Sequence, residues 1–141
     1  MQAWKYAISE DGEKVLVELE IPNNAHRIMW TDRGRASYVI VKSIRCYSPI
    51  SHEFTHDIEK AYSAFDQTFV YEVGKRVYAD SFDSDLINMC SHGIHFYKTR
   101  NIALACLYAD DWYSHRVLAF KRKLEKARGL SASVQFIDEL I

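Results

Sequence analysis

The first part of the chain alternates apolar and polar residues with the period of two that β-strands show. Residues 4–8 predict a short strand, and residues 14–21 predict a second one with three aliphatic side chains on one side. The Asp-Gly pair at residues 11–12 is typical of a hairpin turn between them. Residues 32–35 predict another turn, and the β-branched side chains of residues 36–46 predict a longer strand.

Beyond residue 50, helical and strand patterns mix. Residues 51–65 repeat apolar side chains at intervals of three and four, which predicts an amphipathic helix. Thr99 predicts the start of a helix over residues 100–108, and Ser131 predicts the start of a final helix. Short strands are predicted at residues 69–73, 76–79, 94–97 and 116–122, with a loop or a short helical turn at residues 81–88.

Together these elements predict one α+β domain over residues 1–141, a mostly antiparallel β-sheet with two or three short helices. The length agrees, because one hydrophobic core typically serves about 100–150 residues. A chain that is 48% hydrophobic and 26% charged also has the composition of a folded domain and not of a disordered one.

Composition and charge narrow the class of protein. Eighteen basic and nineteen acidic residues give a net charge of −1, so we do not expect bulk nucleic-acid binding. The first residues do not form a signal peptide, and no apolar run approaches the roughly 18 residues that span a bilayer. Three widely spaced cysteines are not a disulfide framework. We therefore expect a cytoplasmic protein with reduced thiols and no membrane segment.

Charge is nevertheless spread unevenly along the chain. Residues 53–87 carry a net charge of −5, whereas residues 21–52 carry +4 and residues 115–128 carry +5. Such segregation produces either an anion-attracting face or solvated faces that complement one another in the fold. Both interpretations stay open at this point.

Several short motifs resemble an uncharacterised module of large DNA viruses, phages and bacteria that often accompanies pentapeptide repeats. The main motifs are YEVGK at residues 71–75 and CSHGIHF at residues 90–96, with further likeness at residues 19–27 and 33–37. The resemblance covers about residues 14–108, and the pentapeptide repeats are not present in this sequence. It implies a viral or phage origin, and hence the host cytoplasm, but it implies no activity.

A smaller resemblance points to a different chemistry. Residues 93–96, followed by Thr99 and a helix, are similar to the strand-and-helix segment that shapes the NAD pocket of ADP-ribosyltransferases. The early strand motif of that family and a glutamate to complete its active site are not evident. The resemblance implies an alternative function in nucleotide or ADP-ribose chemistry.

Potential metal ligands are densest at residues 90–95. Cys90, His92 and His95 lie there, and His52 and His56 would share one face of the predicted helix. The spacings of known zinc motifs are missing, so we expect packing and hydrogen-bonding roles, with no metal and no cofactor. Three alternating aspartates also fall short of a calcium loop and are expected to be solvated, namely Asp80, Asp83 and Asp85.

No catalytic residue is predicted. Nucleophilic catalysis needs a nucleophile, a base and an orienting group held together, and the adjacent Ser91 and His92 would point apart in a strand. The glycine-rich loops that hold phosphates are also missing from the sequence.

Arginines close to aromatic residues suggest a surface for a small anionic ligand. Arginine and aromatic side chains together hold phosphates and stack bases, although Tyr and Trp also half-bury at sheet edges without a ligand. A small anion needs only a few converging arginines and not a basic protein. The candidate ligand-binding residues are Arg27, Trp30, Arg35, His92, His95, Tyr97, Arg100 and Arg116.

Three functions therefore stay open. The favoured one is a non-enzymatic binding module of viral or phage type that acts on a host protein or sequesters a small, nucleotide-like ligand. The second is an ADP-ribosyltransferase-like or nucleotide-processing enzyme, and the third is a structural or assembly protein. The last predicted helix has an apolar face formed by Val134, Ile137, Leu140 and Ile141. This face docks either on the chain's own sheet or on a neighbouring copy in a homo-oligomer.

Overall fold

Ten strands and one helix make up the part of the chain that the structure, a computed structural model, describes: residues 1–48, 51, 53–63, 69–88 and 91–107. In chain order the elements are β1 Gln2–Ile8, β2 Lys14–Glu20, β3 Arg27–Met29, β4 Arg33–Ala36, β5 Tyr38–Ser48, β6 Glu53–Asp57, β7 Lys60–Tyr62, β8 Val70–Glu72, β9 Arg76–Tyr78, β10 Ile94–Tyr97 and α1 Arg100–Leu107.

The strands join in one sheet in which every described pairing is antiparallel. Seven of them follow the order β3-β4-β10-β1-β2-β5-β6. The segment from β6 to β9 leaves β5, pairs with β1 at Ile8 and Tyr62, and returns to β5, where Val39 lies opposite Val77. Because β1 and β5 lie on either side of β2, this segment crosses one face of the sheet, which we call the inner face.

The predicted hairpin of β1 and β2 is confirmed and forms the centre of the sheet. Its register runs from Gln2 opposite Glu20 to Ile8 opposite Lys14. Gly12 adopts a φ of +83°, a conformation that glycine reaches without a steric penalty, and its N–H donates to the Ser9 carbonyl at 2.9 Å. The strong Asp-Gly signal therefore marks the turn correctly.

Both faces of the central strands are covered. On the inner face the main hydrophobic core includes fully buried Ala3, Val17 and Leu19, together with Ala61 and Tyr71 from the crossing segment. On the opposite face, which we call the helix face, Leu104 and Cys106 of α1 pack on a smaller cluster of buried Tyr6, Ile8 and Tyr47. Burial on two sides explains why β1 and β2 carry more apolar residues than simple alternation requires.

The helix predicted at residues 51–65 is wrong over its described part. Those residues form β6 and β7 instead, and residues 52, 64 and 65 lie outside the described residues. Phe54 packs edge-to-face on Tyr47 of β5 at 5.4 Å, while Ala61 is buried on the inner face. The apolar residues thus serve two faces of a crossing segment, and their helical spacing does not correspond to one helical face. Pairing with β5 and β1 overrides the local pattern.

The turn predicted at residues 32–35 is also wrong in extent, because Arg33–Ala36 forms β4. Gly34 is needed there for close packing and not for a turn. A Cβ at this position would lie 2.5 Å from the Ile28 carbonyl oxygen and 2.6 Å from the Phe96 ring. Glycine in a strand often marks such a close approach.

The other local predictions within the described residues are confirmed, with small shifts of boundary. Short strands occur at β8, β9 and β10, and residues 81–88 form a loop without regular structure. Thr99 begins α1, since its Oγ1 accepts the Ile102 N–H at 3.4 Å.

The α+β character and the antiparallel sheet are therefore confirmed, but the predicted helix count is not. The described residues hold one helix and not two or three. The strand predicted at residues 116–122 and the final helix from Ser131 lie outside the described residues. The one helix among the described residues, α1, is too short to cross a membrane.

Candidate functional site

A buried arginine organises the part of the helix face formed by β3, β4 and β10. Arg35 of β4 is 0% exposed. Its Nε donates to the Asp83 carbonyl at 2.9 Å, its Nη2 donates to the Asp85 carbonyl at 2.8 Å, and its Nη1 donates to the Asn88 carbonyl. The guanidinium thus holds three backbone carbonyls of residues 80–88, which we call the anchored loop.

Aromatic rings enclose the same guanidinium. The Arg35 Cζ lies 5.2 Å from the centre of the Trp30 ring and 6.0 Å from the centre of the Phe82 ring. The Trp30 Nε1 donates to the Leu86 carbonyl at 3.2 Å, so this ring also fixes the loop. Carbonyl dipoles and ring faces are both favourable surroundings for a buried cation.

The anchored loop also stabilises itself through its aspartates. Asp83 Oδ1 accepts the Asp85 N–H at 2.8 Å, and Asp85 Oδ1 accepts the Ile87 N–H at 3.0 Å. Hydrogen bonds, first from Ser91 and then from the Asp85 backbone, hold the pKa of Asp83 below its usual value, so this carboxylate stays ionised at neutral pH. Successive aspartate turns of this kind define one loop conformation.

Gly93, within the CSHGIHF segment, is required by the position of Arg35. Its φ is +143°, a region that other residues rarely adopt. A Cβ at Gly93 would lie 3.1 Å from Cδ of Arg35, since the arginine chain passes directly over this glycine. The motif and the anchored loop are therefore parts of one packed unit.

Two large aliphatic side chains are exposed at the end of this loop. Leu86 is 59% exposed and Ile87 is 90% exposed. Asp80, Asp83 and Asp85 accompany them, and residues 80–88 contain no lysine or arginine. The anchored loop therefore presents an apolar tip in acidic surroundings, on a backbone that Arg35 and Trp30 hold in place.

Four of the predicted ligand-binding residues lie around this loop. Trp30 and Arg35 contact each other, and the His92 carbonyl accepts the Asp83 N–H at 3.0 Å. His95 of β10 lies opposite Arg35, and its Nε2 donates to the Ser91 carbonyl at 2.7 Å. Partial desolvation, together with the charges of nearby lysine and arginines, lowers the pKa of His95, so the ring is neutral at neutral pH.

The remaining predicted residues contact different parts of the fold. The Arg27 Nη1 lies 3.8 Å from Met1 Sδ, and the Arg100 Cζ lies 4.8 Å from the centre of the Phe54 ring. Tyr97 stacks on Tyr6 with ring centres 6.4 Å apart. Arg116 lies outside the described residues. Each of the three described side chains thus has its own packing partner.

The comparisons with known proteins identify the family. Residues 1–103 match a family of unknown function, DUF5758. The chain belongs to the DUF5758 family. The match covers 103 of the 141 residues and includes every described strand. No curated protein and no solved structure matches the chain.

The family match agrees with the expectation of an uncharacterised domain, and it covers residues 1–103 of the chain. All of the residues that form and surround the anchored loop lie inside the matched region. A viral or phage origin stays a prediction, as does any likeness to ADP-ribosyltransferases.

Sequence reasoning also missed Lys5 of β1, whose side chain is half-buried beside Tyr71. The Lys5 Nζ donates to the Tyr71 hydroxyl at 2.6 Å and lies 4.8 Å from the centre of the Tyr71 ring. Burial lowers the pKa of Lys5 to about 7. The sequence did contain a sign of this position. Lys5 shares the inner face of β1 with Ala3 and Ala7, and two small neighbours leave space for a long side chain.

The structure brings potential metal ligands together away from residues 90–95, where the sequence has most of them. Glu13, Cys46 and His56 each bring one ligand atom within 4.8 Å of the others. His56 lies in a strand and not on a helical face shared with His52, and both His52 and Cys90 lie outside the described residues. The signal in the sequence was weak, because the three residues are separated by 33 and 10 positions.

Proposed function

We propose that this DUF5758 chain is a non-enzymatic protein-binding module and that the anchored loop is its recognition surface. The observation that carries the proposal is the exposure of Leu86 and Ile87 on a loop whose backbone Arg35 holds in place. Large aliphatic side chains on a surface loop are costly to hydrate, and loops on a rigid scaffold commonly carry binding residues. A loop that is already ordered also loses less conformational entropy when it binds.

The partner that fits this surface has an apolar pocket with a basic rim. Leu86 and Ile87 would fill the pocket, and the carboxylates of Asp80, Asp83 and Asp85 would face lysine or arginine side chains at its edge. Charges at the rim of an interface raise the association rate and select the partner more than they raise the affinity. If the chain is viral, as the resemblance implies, the partner is a host protein.

The contacts of Arg35 favour a protein partner over a small nucleotide-like ligand. A phosphate site on this face would need the Arg35 guanidinium, which instead donates to the carbonyls of the anchored loop. Trp30, the expected stacking ring, lies against the same guanidinium. An acidic loop in front of them also repels an anion.

Paired capture experiments test the proposal. The full chain and a Leu86→Ser/Ile87→Ser variant are used as baits in lysate of the candidate host, with Val70→Ser as a control at another exposed aliphatic residue. A captured protein is then purified, and its affinity for each form is measured by calorimetry at two salt concentrations. We expect the tip variant to bind at least tenfold more weakly, the control to bind normally, and the affinity of the full chain to fall with salt.

Two results would overturn the proposal. One is a set of captured proteins that bind the tip variant and the full chain equally well. The other is a loss of stability in the tip variant well beyond about 0.5 kcal/mol, the usual range for exposed substitutions, since that would mean the tip packs within the chain. Light scattering on the full chain separates out a third case, in which the tip pairs two copies and the protein is an assembly component.

A further inference from the structure

Three side chains with metal-binding atoms converge where the turn between β1 and β2 meets β5 and β6. Glu13 belongs to the turn, Cys46 to β5 and His56 to β6, and their ligand atoms lie within 4.8 Å of one another. For bonds of about 2.3 Å to sulfur and about 2.0 Å to nitrogen, ligand atoms around tetrahedral zinc are about 3.5 Å apart. Glu13 and His56 are exposed, so their side chains have room to move toward the buried Cys46 when an ion binds.

The backbone holds each of the three residues independently. The Glu13 N–H donates to Ser9 Oγ at 2.9 Å, and the Glu13 carbonyl accepts the Ser9 N–H at 2.9 Å. Cys46 is 1% exposed and lies opposite Val15 in the middle of the sheet. The site therefore has one buried ligand at its base and two exposed ligands at its mouth.

An irregularity in the pairing of β5 and β6 brings His56 to this position. Arg45 lies opposite Asp57 and Tyr47 lies opposite Phe54, with a shift of register between them. Cys46 therefore faces the two-residue step that contains His56. Bulges of this kind re-aim side chains and are common beside functional sites.

A neighbouring hydroxyl contacts the His56 ring from the side of Nδ1. Thr55 Oγ1 lies 3.0 Å from His56 Nδ1 and 3.5 Å from the Cys46 carbonyl oxygen. In the tautomer in which Nδ1 carries the proton, Nδ1–H donates to Oγ1 and the lone pair of Nε2 is open to a metal ion. Metal-binding histidines usually have their second nitrogen fixed in this way.

Negative charge surrounds the thiol. The Cys46 thiol hydrogen-bonds to the Glu13 carboxylate, and the charges of Asp11 and Asp57 also act on it, although Asp57 is paired with Arg45 at 3.2 Å. These carboxylates favour a cation bound beside the thiol.

We infer that Glu13, Cys46 and His56 form a binding site for one zinc ion or a similar divalent cation. This differs from the expectation of no metal from the sequence. The thiolate and imidazole ligands favour zinc over magnesium or calcium. On binding, Cys46 gives its proton to solvent, and two anionic ligands balance the charge of the ion. The exposed mouth leaves the fourth tetrahedral position to water, as at zinc sites with three protein ligands.

Metal titrations of the reduced, chelator-treated full chain test the inference. Zinc is added in competition with a chromophoric chelator, and cobalt is added separately, because a thiolate–cobalt charge-transfer band reports sulfur in the coordination shell. We expect one tight zinc site and a cobalt band. Glu13→Gln and His56→Gln should each weaken zinc at least tenfold, and Cys46→Ser should also abolish the cobalt band.

Matched controls keep the inference falsifiable. Cys106→Ser and His92→Gln change the same residue types elsewhere in the chain and should leave both readouts intact. Glu13 and His56 are exposed, so their variants fold even if the buried Cys46→Ser does not. Zinc affinity that is unchanged in Glu13→Gln and His56→Gln, or a cobalt complex without the thiolate band, would overturn the site. Zinc binding that is lost in His92→Gln and normal in Glu13→Gln and His56→Gln would also overturn the site, and it would assign the metal to the segment that contains His92.

Discussion

Replacing Lys5 by Met should change how the stability of the domain depends on pH. Lys5 projects from β1 on the inner face, where it donates to the Tyr71 hydroxyl at 2.6 Å. Burial lowers its pKa from 10.5 to about 7, because a charged ammonium group is poorly solvated there. Methionine has a similar length and no charge, so Lys5→Met removes the titration and keeps most of the packing.

The sign of the effect follows from the two pKa values. Between about pH 7 and pH 10.5 the unfolded chain binds a proton at Lys5 that the folded chain does not bind. The free energy of unfolding therefore rises with pH in this window, by up to about 1.4 kcal/mol per unit. From pH 7 to pH 9.5 the expected gain is about 3 kcal/mol in the wild type. Below about pH 7 both states are protonated, and the cost of burying the charge is fully present.

Urea unfolding of both forms at a series of pH values from 6 to 9.5 measures this effect. The difference between wild type and Lys5→Met should grow in favour of the wild type as the pH rises through this range. The Cys46 thiol titrates equally in both proteins, so its contribution cancels in the difference. Parallel stability curves would refute the assignment, and so would a lysine Cε carbon signal that titrates near pH 10.5 in the folded protein.

Three further substitutions test the packing on which the anchored loop depends. Arg35→Met should lower the free energy of unfolding in urea by about 3 kcal/mol or more, because it leaves loop carbonyls without their donor. Arg33→Met removes only an exposed ion pair with Asp32 and should cost less than about 1 kcal/mol. Equal losses of stability would contradict the anchoring role of Arg35. Gly34→Ala places a Cβ 2.5 Å from a carbonyl oxygen and should lower the melting temperature strongly. Gly74→Ala should lower it far less, because its Cβ meets open space and the only cost is the strain of a positive φ. Thr99→Ala should lower the free energy of unfolding by about 1 kcal/mol in chemical denaturation. Thr99→Ser should lower it much less, since serine also has a hydroxyl that caps α1. Identical losses of stability in the two variants would exclude the cap.

Local signals were enough to predict the parts of the fold that are stabilised locally. The hairpin around Gly12 and the start of α1 at Thr99 depend on residues a few positions apart, and both were predicted correctly. The segment from β6 to β7 was not, because its partners are β5 and β1. Apolar residues that alternate between two covered faces can have helical spacing by coincidence. Only the pairing of distant strands resolves that ambiguity.

The candidate site shows the same limit at the level of side chains. The closeness of Trp30 and Arg35 could be predicted from their spacing in the sequence, and the two side chains do contact. Their role could not, since the carbonyls that Arg35 binds come from residues 48 to 53 positions later. In the structure the Arg35 guanidinium donates to the anchored loop. A ligand-binding role for Trp30 and Arg35 stays a prediction.

The packing around Arg35 gives residues 93–96 of the CSHGIHF segment a role in the fold. Gly93 makes room for the arginine chain, Ile94 and Phe96 are buried in the main core, and His95 hydrogen-bonds to Ser91 within the segment. What the motif does not explain is the exposed tip at Leu86 and Ile87, which the fold holds in place without covering it over the described residues. The proposed recognition role therefore predicts that partner binding varies with the tip residues, while the motif keeps the loop in position.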